Sequence, residues 1–83
     1  MVMAVQNTVE PGAPMLPHSH EHEQLLYIES GRCKVLVGDE TFEMGAGDIV
    51  LIPSNVEHGL LVLGDEKVVN IDMFAPIREN FLE

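Results

Sequence analysis

His18-Ser19-His20-Glu21-His22-Glu23-Gln24 packs three imidazoles and a carboxamide into seven consecutive positions of a chain with only four histidines. Side chains two apart on an extended backbone point to the same face. His18 and His20 therefore aim their rings at one region of space. Two imidazoles so placed are the beginning of a metal site. The remaining histidine, His58, is the candidate to close it, and His22 falls in a polar turn where its ring faces solvent.

Working outward, Pro14 and Pro17 hold the approach to His18 extended, because proline fixes φ and biases its predecessor toward β or polyproline geometry. Ahead of them Glu10-Pro11-Gly12 is a turn that ends an apolar, β-branched stretch over residues 2–9. Downstream, strands are expected over residues 24–29, 32–37, 40–44, 49–52, 57–63 and 67–74. Turn signals separate them at Ser30-Gly31, Gly38-Asp39, residues 45–48, residues 53–56 and Gly64-Asp65-Glu66. Within 32–37, Cys33, Val35 and Val37 share one face and Arg32, Lys34 and Leu36 the other. Pro76 stands where a short terminal helix over residues 76–82 could begin. No long helical period appears. Short strands at close spacing predict an all-β barrel or sandwich.

Eighty-three residues are too few for two independent cores, so a single domain over 1–83 is expected. A hydrophobic fraction of 46% argues against general disorder, and no apolar run is long enough to span a bilayer as a helix. The first residues lack the pattern of a signal peptide, which makes a cytoplasmic location the expectation. Cys33 is the only cysteine, so no intrachain disulfide can staple the fold. Small unstapled chains often rely on a metal or a second subunit, and both are expected here, the subunit as a homodimer. A net charge of −10 argues against nucleic acid and anionic membrane surfaces as partners. It does not exclude a small anion, because a divalent cation can reverse the local potential within a pocket.

The spacing of these residues resembles the two motifs of the cupin family, small jelly-roll β-barrels. Gly12, His18, His20, Gln24 and Gly31 follow the first motif, with glutamine where the family has glutamate. Gly47, Pro53 and His58 follow the second, with Asn55 in place of a glycine and Val62 in place of an asparagine. The resemblance implies a small all-β jelly-roll cupin barrel. It also implies one divalent transition metal (nickel, zinc, manganese, iron or cobalt) held by His18, His20, Gln24 and His58. Three imidazoles and an amide oxygen are all neutral, so such a ligand set leaves the metal's full charge available to an anionic oxygen.

The glutamine variant, together with Asp72-Met73-Phe74-Ala75-Pro76-Ile77-Arg78-Glu79-Asn80-Phe81, is similar to the KdgF group of cupins. Those proteins convert cyclic 4,5-unsaturated uronates from pectin and alginate into open-chain keto sugar acids. The resemblance implies a small anionic sugar acid as ligand and catalytic roles for Asp72, Phe74 and Arg78. Asp72 would move a proton, Phe74 would wall the pocket, and Arg78 would clamp the substrate carboxylate. Asp72 and Phe74, two apart on a late strand, share a face. Two other readings stay open: a cupin dioxygenase using iron or manganese, and a non-catalytic cupin that binds a sugar or effector.

Overall fold

The structure is a computed structural model that describes residues 3–75. The expected terminal helix and Arg78 lie outside the described residues. Seven strands follow one another: β1 (Met3–Val9), β2 (Glu23–Ser30), β3 (Arg32–Val37), β4 (Glu40–Gly45), β5 (Ile49–Ile52), β6 (His58–Leu63) and β7 (Val68–Ala75). They form a four-stranded sheet in the order β1-β7-β2-β5 and a three-stranded sheet in the order β4-β3-β6, with all neighbouring strands antiparallel. The chain is an all-β jelly-roll-like barrel.

The alternation of buried and exposed residues turns two sheets into one interior. Leu26 and Ile28 from β2, Cys33 and Val35 from β3, Met44 from β4, Ile52 from β5, Val62 from β6 and Val68 from β7 form the apolar core. Burial pushes the Cys33 thiol up to about 11, with the Asp48 charge adding to the shift. It is a packing residue, not a nucleophile.

Three inner-face tracks run from this core toward one end of the barrel and become polar as they go. On β2 the track reads Ile28, Leu26, Gln24; on β7 it reads Val68, Asn70, Asp72, Phe74; on β6 it reads Val62, Leu60, His58. The polar ends of all three tracks line a single pocket. Its contents are therefore set by the same period-two rule that sets the core.

Two backbone positions hold the strands in this arrangement. Gly31 takes φ +89° between β2 and β3, and a Cβ there would sit 2.5 Å from the Lys67 carbonyl oxygen. Only glycine fits both the conformation and the space. Asn55, standing where the cupin motif has glycine, adopts φ 64°. Asparagine is the non-glycine residue best suited to that region, which accounts for the substitution.

Candidate metal centre

His18 and His20, expected on extended backbone with both rings on one face, lie on a strap over residues 13–20 that joins neither sheet. One isolated bridge anchors it: His18 N donates to His58 O at 3.0 Å, and His58 N donates to His18 O at 2.9 Å. Residues that exchange both backbone bonds lie directly opposite, with their side chains on the same side. The loop after β5 grips the next stretch. Asn55 N donates to His20 O at 2.7 Å, and the Ser54 hydroxyl donates to Glu21 O at 2.6 Å. The strap crosses β6 at Gly59, where an added Cβ would meet Met15 Cγ at 2.7 Å and Pro17 Cα at 3.6 Å. The absence of a side chain at 59 lets the strap lie close beside His58.

These contacts bring His18, His20 and His58 together, one ring nitrogen of each lying within 4.8 Å of the others. Each ring is oriented through its other nitrogen. Nδ1 of His18 lies 3.2 Å from Leu16 O, Nδ1 of His20 lies 2.9 Å from His22 O, and Nδ1 of His58 lies 2.9 Å from Val56 O. A carbonyl oxygen only accepts, so all three rings carry their proton on Nδ1 and turn the Nε2 lone pair inward. This is the outer-sphere pattern that fixes tautomer and direction in histidine metal ligands. Nε2 of His58 is buried and has no hydrogen-bond partner. A buried nitrogen left unpaired by the protein is what a cation would satisfy.

Gln24 adds the fourth donor. It is buried on β2, and its Oε1 lies 3.0 Å from His20 Nε2. Donor atoms on adjacent positions of a first-row cation stand about 3 Å apart, so this separation fits shared coordination. The residues present thus fit the divalent metal expected from the sequence: His18, His20 and His58 could hold it, and the Gln24 oxygen stands beside them. His22 is exposed and contributes its carbonyl, not its ring.

Asp72 and Phe74 stand on the inner face of β7 and line the same pocket. The Phe74 ring meets His20 edge-on at 5.5 Å between centroids. Asp72 is not a free carboxylate: Oδ1 accepts from Gln24 Nε2 at 2.6 Å, and Oδ2 accepts from Asn7 Nδ2 at 2.7 Å. Burial raises the Asp72 carboxyl above its ordinary range, opposed by hydrogen bonds from Gln24, Asn7 and Asn70 and by the charge of His58. Asn7 and Asn70 are the functional-site residues that the sequence reading missed. A signal existed for Asn70, because its strand alternates Val68, Asn70, Asp72 and Phe74 on one face, and polar groups on an inward face belong to a site.

The pocket holds about 380 Å³. Its lining combines polar groups, Asn7, Thr8, Asn70, Asp72 and the residues of the donor set, with the apolar Val9, Leu26, Ile52, Leu60 and Phe74. No cationic side chain lines it among the described residues. A volume near the lower end of small-molecule sites suits a ligand about the size of a monosaccharide.

Comparison with known proteins gives a consistent result. The sequence pattern described as the Cupin domain matches residues 6–74. KdgF from Halomonas sp. superposes with a TM-score of 0.81 at 34% identity, covering 98% of this chain and 74% of that one. Oxalate decarboxylase from Bacillus subtilis, studied for its Mn(II) centres, gives 0.81 at 31% identity, covering 88% of this chain and 21% of that one. Polyketide synthase CurC from Streptomyces cyaneus is 29% identical over 70 residues, covering 83% of this chain. The chain spans 46% of that curated relative's length.

The site should make stability depend on pH in a defined direction. Burial holds the His58 imidazole below its ordinary 6.5, opposed by its bond to the Val56 carbonyl and the charge of Asp72; His18 and His20 lower it further. The unfolded chain therefore binds a proton at His58 more readily than the folded one. The stability this residue contributes is present above about pH 6.5 and is lost as pH falls through the folded value. In chelator-treated protein, denaturation midpoints should fall on acidification below 6.5, and His58→Gln should flatten that part of the curve. An unchanged slope in the variant would remove His58 as its source.

Proposed function

The chain belongs to the cupin family, and on that premise we propose that it is a metal-dependent enzyme that opens cyclic 4,5-unsaturated uronates into linear keto acids. The observation that carries this reading is the placement of Asp72 and Phe74 in one monosaccharide-sized pocket with the three inward-facing imidazoles and Gln24. The 34% identity to KdgF over nearly the whole chain supports it.

Opening such a ring is an isomerisation. The anomeric hydroxyl loses a proton as the bond between carbon 1 and the ring oxygen breaks. Negative charge moves onto the former ring oxygen, and carbon 4 gains a proton. No electrons enter or leave. His18, His20, His58 and Gln24 would hold a divalent cation, which would supply Lewis acidity at the developing charge. Asp72 is the group in the pocket that can carry the proton. Each of its oxygens keeps a lone pair beyond the one engaged by Gln24 or Asn7, and burial keeps the carboxyl easier to protonate than usual. Phe74 offers a flat wall to a planar, unsaturated ring. Arg32, Lys34 and Lys67 do not line the pocket; the carboxylate clamp implied by the family resemblance is Arg78, which lies outside the described residues.

The apolar share of the lining favours a second reading, a planar oxo-rich substrate of the polyketide kind, in line with the similarity to CurC. The two readings separate on substrate. Added to an unsaturated monouronate, the protein should accelerate loss of the ultraviolet absorbance of its conjugated double bond. Asp72→Asn should abolish the acceleration while still loading metal at saturating concentration. A spontaneous rate unchanged by the wild-type protein rules out the uronate reading, and full activity in the variant removes Asp72 from the chemistry.

A homodimer fits the outer face of the β1-β7-β2-β5 sheet. Leu25 and Tyr27 face outward there, in register with Leu51 and Ile49 on β5 and with Met73 and Ile71 on β7. Ile49 and Leu51 are 54% and 53% exposed, a large apolar display for a chain of net charge −10. Like-charged copies meet most favourably across a face that carries no charge at its centre. Sedimentation should give a dimer that Leu51→Glu converts to monomer; a wild-type monomer at high micromolar concentration contradicts this assembly.

A further inference from the structure

Glutamine at position 24 is short of one charge relative to the glutamate of the cupin motif. The charge is present, one side chain further back. Asn7 on β1, Asp72 on β7 and Gln24 on β2 occupy adjacent strands of one sheet, all on its inner face. Their side chains form a continuous chain of hydrogen bonds. Asn7 Nδ2 donates to Asp72 Oδ2 at 2.7 Å, Gln24 Nε2 donates to Asp72 Oδ1 at 2.6 Å, and Gln24 Oε1 faces His20 Nε2 at 3.0 Å.

We propose that Gln24 and Asp72 act as one unit, a carboxylate ligand divided between two residues. Gln24 presents the oxygen, Asp72 supplies the charge, and Asn7 is a positioning residue that holds the Asp72 carboxylate. This rests on the metal-centre reading above and deepens it.

Three physical points support the unit. First, the amide has only one workable orientation. Reversed, it would set its oxygen 2.6 Å from a carboxylate oxygen and turn its NH₂ toward the ligand nitrogens. Asp72 therefore fixes which end of Gln24 faces inward. Second, a hydrogen bond to an anion is stronger than a neutral one and polarises the donor group. The Gln24 oxygen becomes a better donor to a cation than a solvated amide would be. Third, the same contact explains why glutamate is absent. A carboxylate at 24 would face Asp72 with no hydrogen between two anionic oxygens, and like charges at that range are strongly unfavourable.

The unit makes a signed prediction about coupling. Gln24→Glu places a charge directly on the cation, but in the wild-type background it also opposes Asp72. In an Asp72→Asn background the pair is restored with its polarity reversed, the amide at 72 donating to the carboxylate at 24. Zinc affinity, measured by chelator competition on wild type, both single variants and the double variant, should show this. Gln24→Glu should raise affinity at least about tenfold more in the Asp72→Asn background than in the wild type, the scale of outer-sphere effects on metal sites. Asp72→Asn alone should weaken binding about tenfold. Asn7→Leu, at an exposed position, should leave the melting transition of the metal-free protein in place. It should, however, alter the visible spectrum of the cobalt(II)-loaded protein at saturation.

If the wild-type protein takes up no zinc, the metal centre itself is overturned and the unit with it. If it binds zinc and the two substitutions act additively, the divided carboxylate is overturned while the metal centre stands. An unchanged cobalt spectrum in Asn7→Leu removes Asn7 alone.

Discussion

The reciprocal backbone bond between His18 and His58 is the constraint on which the rest of the site depends. It joins a strap that belongs to neither sheet to the first residue of β6, and it does so at the two residues whose rings must converge. Two hydrogen bonds of 3.0 and 2.9 Å fix the relative height and facing of both imidazoles before any ligand is considered. The bridge needs the strap to lie close to β6, which the bare backbone of Gly59 allows. It also needs the strap to continue to His20 without drifting, which Asn55 and Ser54 ensure. A site of this kind is assembled largely by main chain, and main-chain geometry is what a small barrel without disulfides can best hold rigid.

Beneath the bridge, the fold does two jobs with one rule. Every second residue of β2, β6 and β7 faces inward. At one end those residues are Ile28, Val62 and Val68; at the other they are Gln24, His58 and Asp72. The core and the pocket share strands, so Gln24, His58, Asp72 and Phe74 are carried on the sheets, while His18 and His20 are carried on the strap pinned to β6. His58 and Gln24 are buried for the same reason that Val35 is. The cost of burying them is met in part by hydrogen bonds: Nδ1 of His58 to Val56 O, and Nε2 of Gln24 to Asp72 Oδ1. The exception is Nε2 of His58, unpaired in the protein. That exception points to the cation.

Much of this was legible in the sequence. The strand pattern survives because glycine, proline and aspartate turns punctuate it clearly, and the Cys33/Val35/Val37 face is apparent from alternation alone. The convergence of His18, His20, Gln24 and His58 followed from motif spacing. The strap was not legible: a His-x-His pair on extended chain looks the same whether or not that chain joins a sheet. The carbonyl locks on each Nδ1 are also invisible, since they are made by backbone groups two residues away whose direction depends on the turn. Asp72 was read as a proton carrier sharing a strand face with Phe74. Its partners Asn7 and Gln24 lie on the two strands that flank β7, and only the sheet order β1-β7-β2 brings them together. Sheet order is a non-local property that one sequence does not display.

Three oriented imidazoles and one amide oxygen are placed to hold a single divalent metal. The decisive measurement is elemental analysis of the purified protein after dialysis against metal-free buffer. It should find close to one first-row transition metal ion per chain, falling to a small fraction of that in His18→Ala and His58→Ala prepared alongside. A wild-type protein that retains no such metal and takes up none on reconstitution would contradict the account.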